Sequence, residues 1–262
     1  MMLRGFRRQS ASNAVVQILL ALGGVIMVIP FVWMVSTSLK LPSEVLVWPP
    51  RLIPKTATLS NYSGLFREAP FARFFLNSVV ISLVSTASIL VTSVVGGYVF
   101  AKFRFPGQNF LFGVLLATAI VPFESYLVPL YLRAVRWQWV DTYRGMIAPF
   151  LIMSFGVFLM RQHISSTVSD DLLDAARIDG CSEWRILSAV VFPLCKSAGG
   201  ALGIFAFIQG WTAFIWPLLI ANQKELFNME LGLTMFQFRF STDYGLLMAG
   251  SVVSLLPIVV TF

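Results

Sequence analysis

The chain has 262 residues, 57% of them apolar and only 12% charged, with a mean hydropathy of +0.80. A soluble domain carries about 25% charged residues, so this composition excludes an ordinary water-soluble fold and points to a membrane protein. The net charge of +7 suits contact with anionic lipid head groups, and no basic run with interleaved aromatics offers a nucleic-acid site.

The N-terminal MMLRGFRRQSASN holds Arg4, Arg7 and Arg8 and no acid. It resembles the basic region of a signal peptide. The apolar run behind it, 14–39, is too long for a signal peptide and lacks a clear small-x-small cleavage site, so it reads as an uncleaved first span. The arginines favour a cytoplasmic N-terminus, and Lys102 and Arg104 favour the same side. Over all connections the cations are nearly balanced, so the orientation rests on those two segments.

Runs at 14–39, 74–101 and 197–223 each exceed the roughly 20 residues that cross the hydrocarbon core. Runs at 105–123 and 244–262 are near that length, and 145–160 is shorter. Strict alternation is absent, so helices are expected, not a barrel. Six spans follow: about 14–38, 77–102, 108–133, 144–163, 194–221 and 244–262. The expected fold class is an all-α membrane protein forming a single transmembrane domain over 1–262. The last run reaches Phe262 without a polar flank, and the natural C-terminus is expected beyond it.

Between the first two spans, 39–76 contains Pro42, Pro49, Pro50, Pro54 and Pro70. Trp48 suits an interfacial anchor, and a short helix near 60–66 is expected, capped by Ser60 or Asn61. Gly96 and Gly97 in the second span permit close helix approach. Pro106-Gly107 marks the turn into the third span, which contains Pro122 and Pro129 with Glu124 between them. Prolines in a span kink it and free backbone carbonyls. Trp137 and Trp139 fit a membrane–water interface. In the fifth span, Gly210 and Pro217 again break regularity.

Five of the twelve acids lie in one window, DDLLDAARIDGCSEWR at 170–185: Asp170, Asp171, Asp174, Asp179 and Glu183. Val168, Leu172, Ala175 and Ala176 have helical spacing on one face, with Asp170, Asp174 and Arg177 opposite. Asp174 and Arg177, three apart, are placed to pair. Gly180 sits where a left-handed helix cap belongs, and Ser182 can cap a second helix over 183–191. Small Ala175-Ala176 flanked by charge reads as a docking element; the alternative is a solvated loop.

The order Ala175-Ala176, Asp179-Gly180, Ile186, Pro193-Leu194 resembles the EAA loop of permease subunits in binding-protein-dependent ABC importers, with Asp174 in place of Glu and Cys181 in place of Ala. The likeness extends to Asn61-Tyr62, Asn77-Ser78, Ala101-Lys102-Phe103, Phe105-Pro106-Gly107, Ile120–Pro122, Pro129-Leu130-Tyr131, Asp141-Thr142-Tyr143 and Trp211 through Trp216-Pro217-Leu218. These resemble the carbohydrate branch, and in it the shorter permease of the maltose-type importer. One departure is Thr212, where the family commonly has Asn.

The resemblance implies the type I importer permease fold with a cytoplasmic coupling loop at about 164–193. Asp174, Ala175, Ala176, Arg177, Asp179, Gly180 and Glu183 would meet an ATPase. The implied partners are a second permease, two ABC ATPases and an extracytoplasmic solute-binding protein in a prokaryotic inner membrane. ATP and magnesium would be bound by the ATPase, because this chain has no GxxxxGK[ST] loop, no HExxH and no Gly-x-Ser-x-Gly elbow. No cofactor is expected here, and Cys181, Cys195 and His163 lack metal-site spacing. The expectation is a non-catalytic transport subunit.

Glu124 is either a sugar-hydroxyl acceptor in a water-accessible region or an interfacial carboxylate bonded to a neighbouring helix. Gln209, Thr212 and Trp216 are further pathway candidates, with packing as the alternative for Trp216. A neutral sugar is the expected solute, since an anion would call for arginine in the interior of a span. A glycerol-phosphate importer on the same scaffold is the runner-up. A stand-alone secondary transporter would show an internal repeat, and none is visible.

Overall fold

The computed structural model describes residues 3–237 and 242–261, with side chains from residue 16 onward. The side chains of Arg4, Arg7 and Arg8, and Phe262 at the end of the last predicted span, lie outside the described residues. Helix dominates throughout, and only an isolated bridge joins Gln237 to Thr242. The chain divides into two compact units: one runs up to Ala69 and includes Leu233–Leu256, the other holds Pro70–Gly232 and the chain from Pro257.

In the first unit, the first helix runs over Leu3–Ser38. Its apolar side chains from Val16 to Val35 are largely exposed, as a lipid-facing span requires. The short helix is Ser60–Glu68. Neither Ser60 nor Asn61 caps it. The hydroxyl of Thr58 accepts from the Ser60 amide at 3.1 Å, while buried Asn61 donates to the carbonyls of Ser38 (2.8 Å) and Lys40 (2.9 Å). Asn61 thus satisfies two carbonyls where the first helix ends, which would otherwise lack partners. Lys40 lies 4.4 Å over the Trp33 ring and donates to the Arg51 carbonyl at 2.6 Å. The sixth span is Tyr244–Thr261.

The second unit is built on the 32-residue helix Phe71–Lys102, packed against Ser154–Thr167 and Lys196–Trp211. Glycines let these helices close. A Cβ on Gly97 would lie 2.7 Å from the Met160 Cβ and 2.8 Å from the Arg161 amide nitrogen, and one on Gly210 would lie 3.1 Å from the Ser82 Cα.

The third, fourth and fifth spans are broken, and in the third and fifth a proline marks the place. The third was expected as one kinked helix over 108–133. Instead Gln108–Ile120 ends before Pro122, and Phe123–Arg136 leaves at 98°. The residue before a proline is driven from helical geometry, and Val121 is extended at φ −72°, ψ 118°. Pro129 causes no kink, because it lies in the first turn of Leu127–Arg136, where its missing N–H costs nothing. The fourth span breaks between Tyr143–Phe150 and Ser154–Thr167 with a 44° bend. In the fifth, Gly210 stays helical, and the break falls at Thr212–Phe214, before Ile215–Ile220. Pro217 cannot accept the helical register of the residue four before it, so the chain leaves the helix one turn ahead of it.

Two of the freed carbonyls are taken by side chains. Pro149 frees the Gly145 carbonyl, which accepts from the Trp216 indole at 2.8 Å. Pro217 frees the Ala213 carbonyl, which accepts from the Asn228 amide at 2.6 Å. Among the described residues, four helices are individually long and apolar enough to span, and the two bent pairs bring the candidates to as many as six.

Candidate functional site

The acidic window folds as helix, glycine turn and helix. Ser169 caps Asp170–Ile178 by accepting from the Leu172 amide, and Ser182 caps the next helix by accepting from the Arg185 amide, each at 3.4 Å. Between them the Cys181 amide donates to the Ala176 carbonyl and the Gly180 amide to the Arg177 carbonyl, both at 3.0 Å. That paired closure is the Schellman turn, and Gly180 takes the left-handed φ of +79° it requires. The second helix, expected over 183–191, is α-helical only over Glu183–Ile186. It widens to a π-turn over Leu187–Val191 ahead of Pro193.

Charged contacts fasten this loop to the Lys102 end of the second span. Lys102 meets Asp170 at 2.7 Å. Arg177 bridges Asp174 and Glu183, each at 2.8 Å, and Tyr98 donates to the other oxygen of Glu183 at 2.7 Å. The Lys102 ammonium holds the Asp170 carboxyl below the usual carboxylate range. The Arg177 guanidinium, and then the Tyr98 hydroxyl, do the same for Glu183. The two carboxylates beside Arg177 push its own pKa up. The window's acids thus divide between holding the loop and facing outward.

The buried face differs from the expected one. Leu173, not Leu172, is buried at 1%, together with Val168 and half-buried Ala176. Leu172 and Ala175 are exposed, and Ile178 and Trp184 stand 87% and 74% exposed. The 3.6-residue period placed Val168 and Ala176 rightly but not Leu172 and Ala175: the entry at Val168–Ser169 is extended, so the helix starts later and is rotated. The loop therefore presents an apolar rim of Leu172, Ala175, Ile178 and Trp184 with Asp171 and Asp179 beside it.

At the opposite end of the second span lies a polar cluster whose geometry sequence reading did not reach. Buried Asn77 donates to the carbonyls of Glu225 and Phe227 at 2.9 Å and accepts from the Tyr143 hydroxyl at 2.5 Å. Ser78 accepts from the Met229 amide at 2.8 Å. Asp141, at φ +56°, accepts from the amides of Asn222 and Gln223 at 2.6 and 3.0 Å. Desolvation opposes ionisation of Asp141, but these bonds outweigh it and its pKa is lowered. Asn77-Ser78 and Asp141-Thr142-Tyr143 carried the family resemblance; their proximity is a tertiary result.

The pathway candidates are not brought together. Glu124 is exposed in the short turn Phe123–Tyr126. Exposed Thr212 donates to the Ile208 carbonyl at 2.8 Å. Trp216 is 2% exposed and supports Gly145. Only Gln209 lines the cavity at the helix breaks.

This loop, on a helical frame of four to six candidate spans, is what a family match explains. Residues 89–262 match the family described as binding-protein-dependent transport system inner membrane component. The chain belongs to that family. Like other members, it is a multi-pass inner-membrane permease, a transport subunit. It is 35% identical over 210 residues to the arabinooligosaccharides transport system permease protein AraQ of Bacillus subtilis, covering 80% of this chain and 74% of that one. It is 28% identical to the lactose transport system permease protein LacG of Rhizobium radiobacter, covering 93% and 88%. It is 32% identical to the sn-glycerol-3-phosphate transport system permease protein UgpE of Escherichia coli O1:K1, covering 83% and 80%. The fold matches the crystal structure of a bacterial ABC transporter involved in the import of the acidic polysaccharide alginate. The TM-score is 0.86 at 20% identity, over 97% of this permease and 95% of that chain.

Proposed function

We propose that this permease forms half of the translocation pathway of an ATP-driven importer of a neutral sugar, and that the loop around 170–184 docks an ABC ATPase. One observation carries the docking: the exposed rim of Leu172, Ala175, Ile178 and Trp184 on a loop fastened from behind by Lys102–Asp170 and Tyr98–Glu183–Arg177. Exposed apolar side chains on a polar loop mark a partner surface, and the anchoring lets a push on that rim reach the second span. Asp174, Ala175, Ala176, Arg177, Asp179, Gly180 and Glu183 divide the work. Gly180 sets the turn, Arg177 and Glu183 tie it down, and Ala175, Asp179 and the outer oxygen of Asp174 meet the partner.

The partners in this reading are a second permease, two ATPases that bind ATP and magnesium, and an extracytoplasmic binding protein. Lys102–Asp170 puts the second-to-third and fourth-to-fifth connections on one side of the membrane. That side is the cytoplasm in this reading, with the N-terminus there as well. Names of relatives support a sugar, while UgpE favours glycerol 3-phosphate as the second reading.

Tagged chain purified from native membranes in mild detergent tests the assembly. A second permease and an ABC ATPase in the eluate support it; a stable chain purifying alone overturns it. Gly180→Pro and Asp174→Lys are each expected to leave ATP hydrolysis running without uptake, and unimpaired uptake in both counts against the docking.

A further inference from the structure

The breaks in the third and fourth spans, far apart in sequence, line one cavity of about 800 Å³ together with Gln209 of the fifth. We propose that this cavity is a binding subsite for a neutral glycan, with the amide of Gln209 and the hydroxyls of Tyr126 and Ser154 holding it against the Phe123–Phe150 wall. The proposal rests on the importer reading above and adds that this subunit itself contacts solute.

The first ground is the backbone. Irregular backbone at membrane depth is tolerated where it is buried in protein or lines a watery cavity. The carbonyls freed by Pro149 and Pro217 are closed by Trp216 and Asn228. The break at Pro122 is left open. The carbonyl it frees is that of Thr118, a cavity-lining residue, and no hydrogen bond among the described residues reaches it. An open acceptor in the wall requires water or a ligand hydroxyl.

The second ground is the side-chain set. The Phe123 and Phe150 rings stack with centroids 6.3 Å apart, and Tyr126 meets Phe123 edge-on at 5.3 Å. The Thr118 hydroxyl donates to the Leu115 carbonyl and lies 2.7 Å from the Ser154 hydroxyl, so Ser154 keeps acceptor capacity. The Gln209 amide and the Tyr126 hydroxyl form no hydrogen bond among the described residues. Aromatic faces with a few convergent polar groups, in a volume typical of ligand sites, match a molecule with C–H faces and a hydroxyl edge. No Lys, Arg, Asp or Glu lines the cavity. A phosphate or uronate would need a compensating cation, so the lining selects neutral sugars over anions.

The test uses the chain with its co-purified subunits in lipid nanodiscs, probed by saturation-transfer NMR with lactose, maltose, arabinotriose and sn-glycerol 3-phosphate. At least one neutral sugar is expected to bind and glycerol 3-phosphate is not. Gln209→Leu and Tyr126→Phe are each expected to weaken sugar binding about tenfold, as loss of one hydrogen bond would. Tyr126→Phe keeps the ring and decides the matter if Gln209→Leu fails to assemble. Binding of none of the three sugars, equal binding by both variants, or lipid acyl chains occupying the cavity would overturn the subsite. A complex that still contains its ATPase and still imports sugar after any of these results would leave the importer reading intact.

Discussion

The Tyr98 hydroxyl donates to the Glu183 carboxylate at 2.7 Å, and that bond joins the C-terminal end of the second span to the start of the second loop helix. Glu183 also accepts from Arg177 at 2.8 Å, so the phenol and the guanidinium share one carboxylate. If the loop transmits force through this node, Tyr98→Phe should lower sugar uptake several-fold while hydrolysis persists. Uptake and hydrolysis measured together in proteoliposomes check this, and a proportional fall in both would point to misassembly instead.

Gly180 has open space around it, yet its φ is +79°. Gly180→Ala therefore meets no clash but bears the left-handed penalty of roughly 1–2 kcal/mol. Thermal melting in detergent should show a modest loss with the complex still assembled. Gly180→Asn, which tolerates that conformation better, should recover part of it.

Gly97 poses the opposite problem. Its conformation is ordinary, but a Cβ there would meet Met160 and the backbone at Arg161 within 2.8 Å. Gly97→Ala should force the second and fourth spans apart, at a cost of about 1–3 kcal/mol. Wild-type melting temperature in that variant would refute the close packing.

Asn77→Ala removes two donors and the acceptor for Tyr143 from a buried site. Leaving those groups unsatisfied should destabilise the N-terminal end of the second span by about 1–3 kcal/mol for each buried group left without a partner. Hydrogen exchange should show faster exchange at 225–229, with protection of 170–178 unchanged.

The loop's ion pairs predict a pH response with a definite sign. Asp170 and Glu183 are held below the ordinary carboxylate range. Their contribution is therefore complete above the unfolded carboxylate values of about 4 and is lost as pH falls through the lowered folded values. Loop protection measured by hydrogen exchange should be flat from pH 8 to 5 after correction for intrinsic exchange. It should decline only below about 4. The Lys102–Asp170 pair, open to solvent on its Asp170 side, should also weaken with added salt.

The sequence by itself determined the membrane class, the six apolar runs, the turn at Gly180, the Ser182 cap and the Asp174–Arg177 pair. Each depends on residues within a few positions of one another, or on bulk hydrophobicity, and needs no knowledge of distant neighbours. Proline placement also pointed to irregularity in the third and fifth spans, since Pro122 and Pro217 act on the residue just before them or on the turn that precedes them, though it suggested a kink in the third and not a full break. Only the tertiary structure decided what those breaks do. Trp216 reads in sequence as either a pathway aromatic or a packing residue, and its indole fills the need of a carbonyl 71 residues away. Tyr98 and Glu183 lie 85 residues apart, and the side of the loop helix that is buried follows from where the chain leaves Val168. Hydrogen-bond partners of freed carbonyls and the rotation of a short helix are settled by packing across the unit, and no local pattern encodes them.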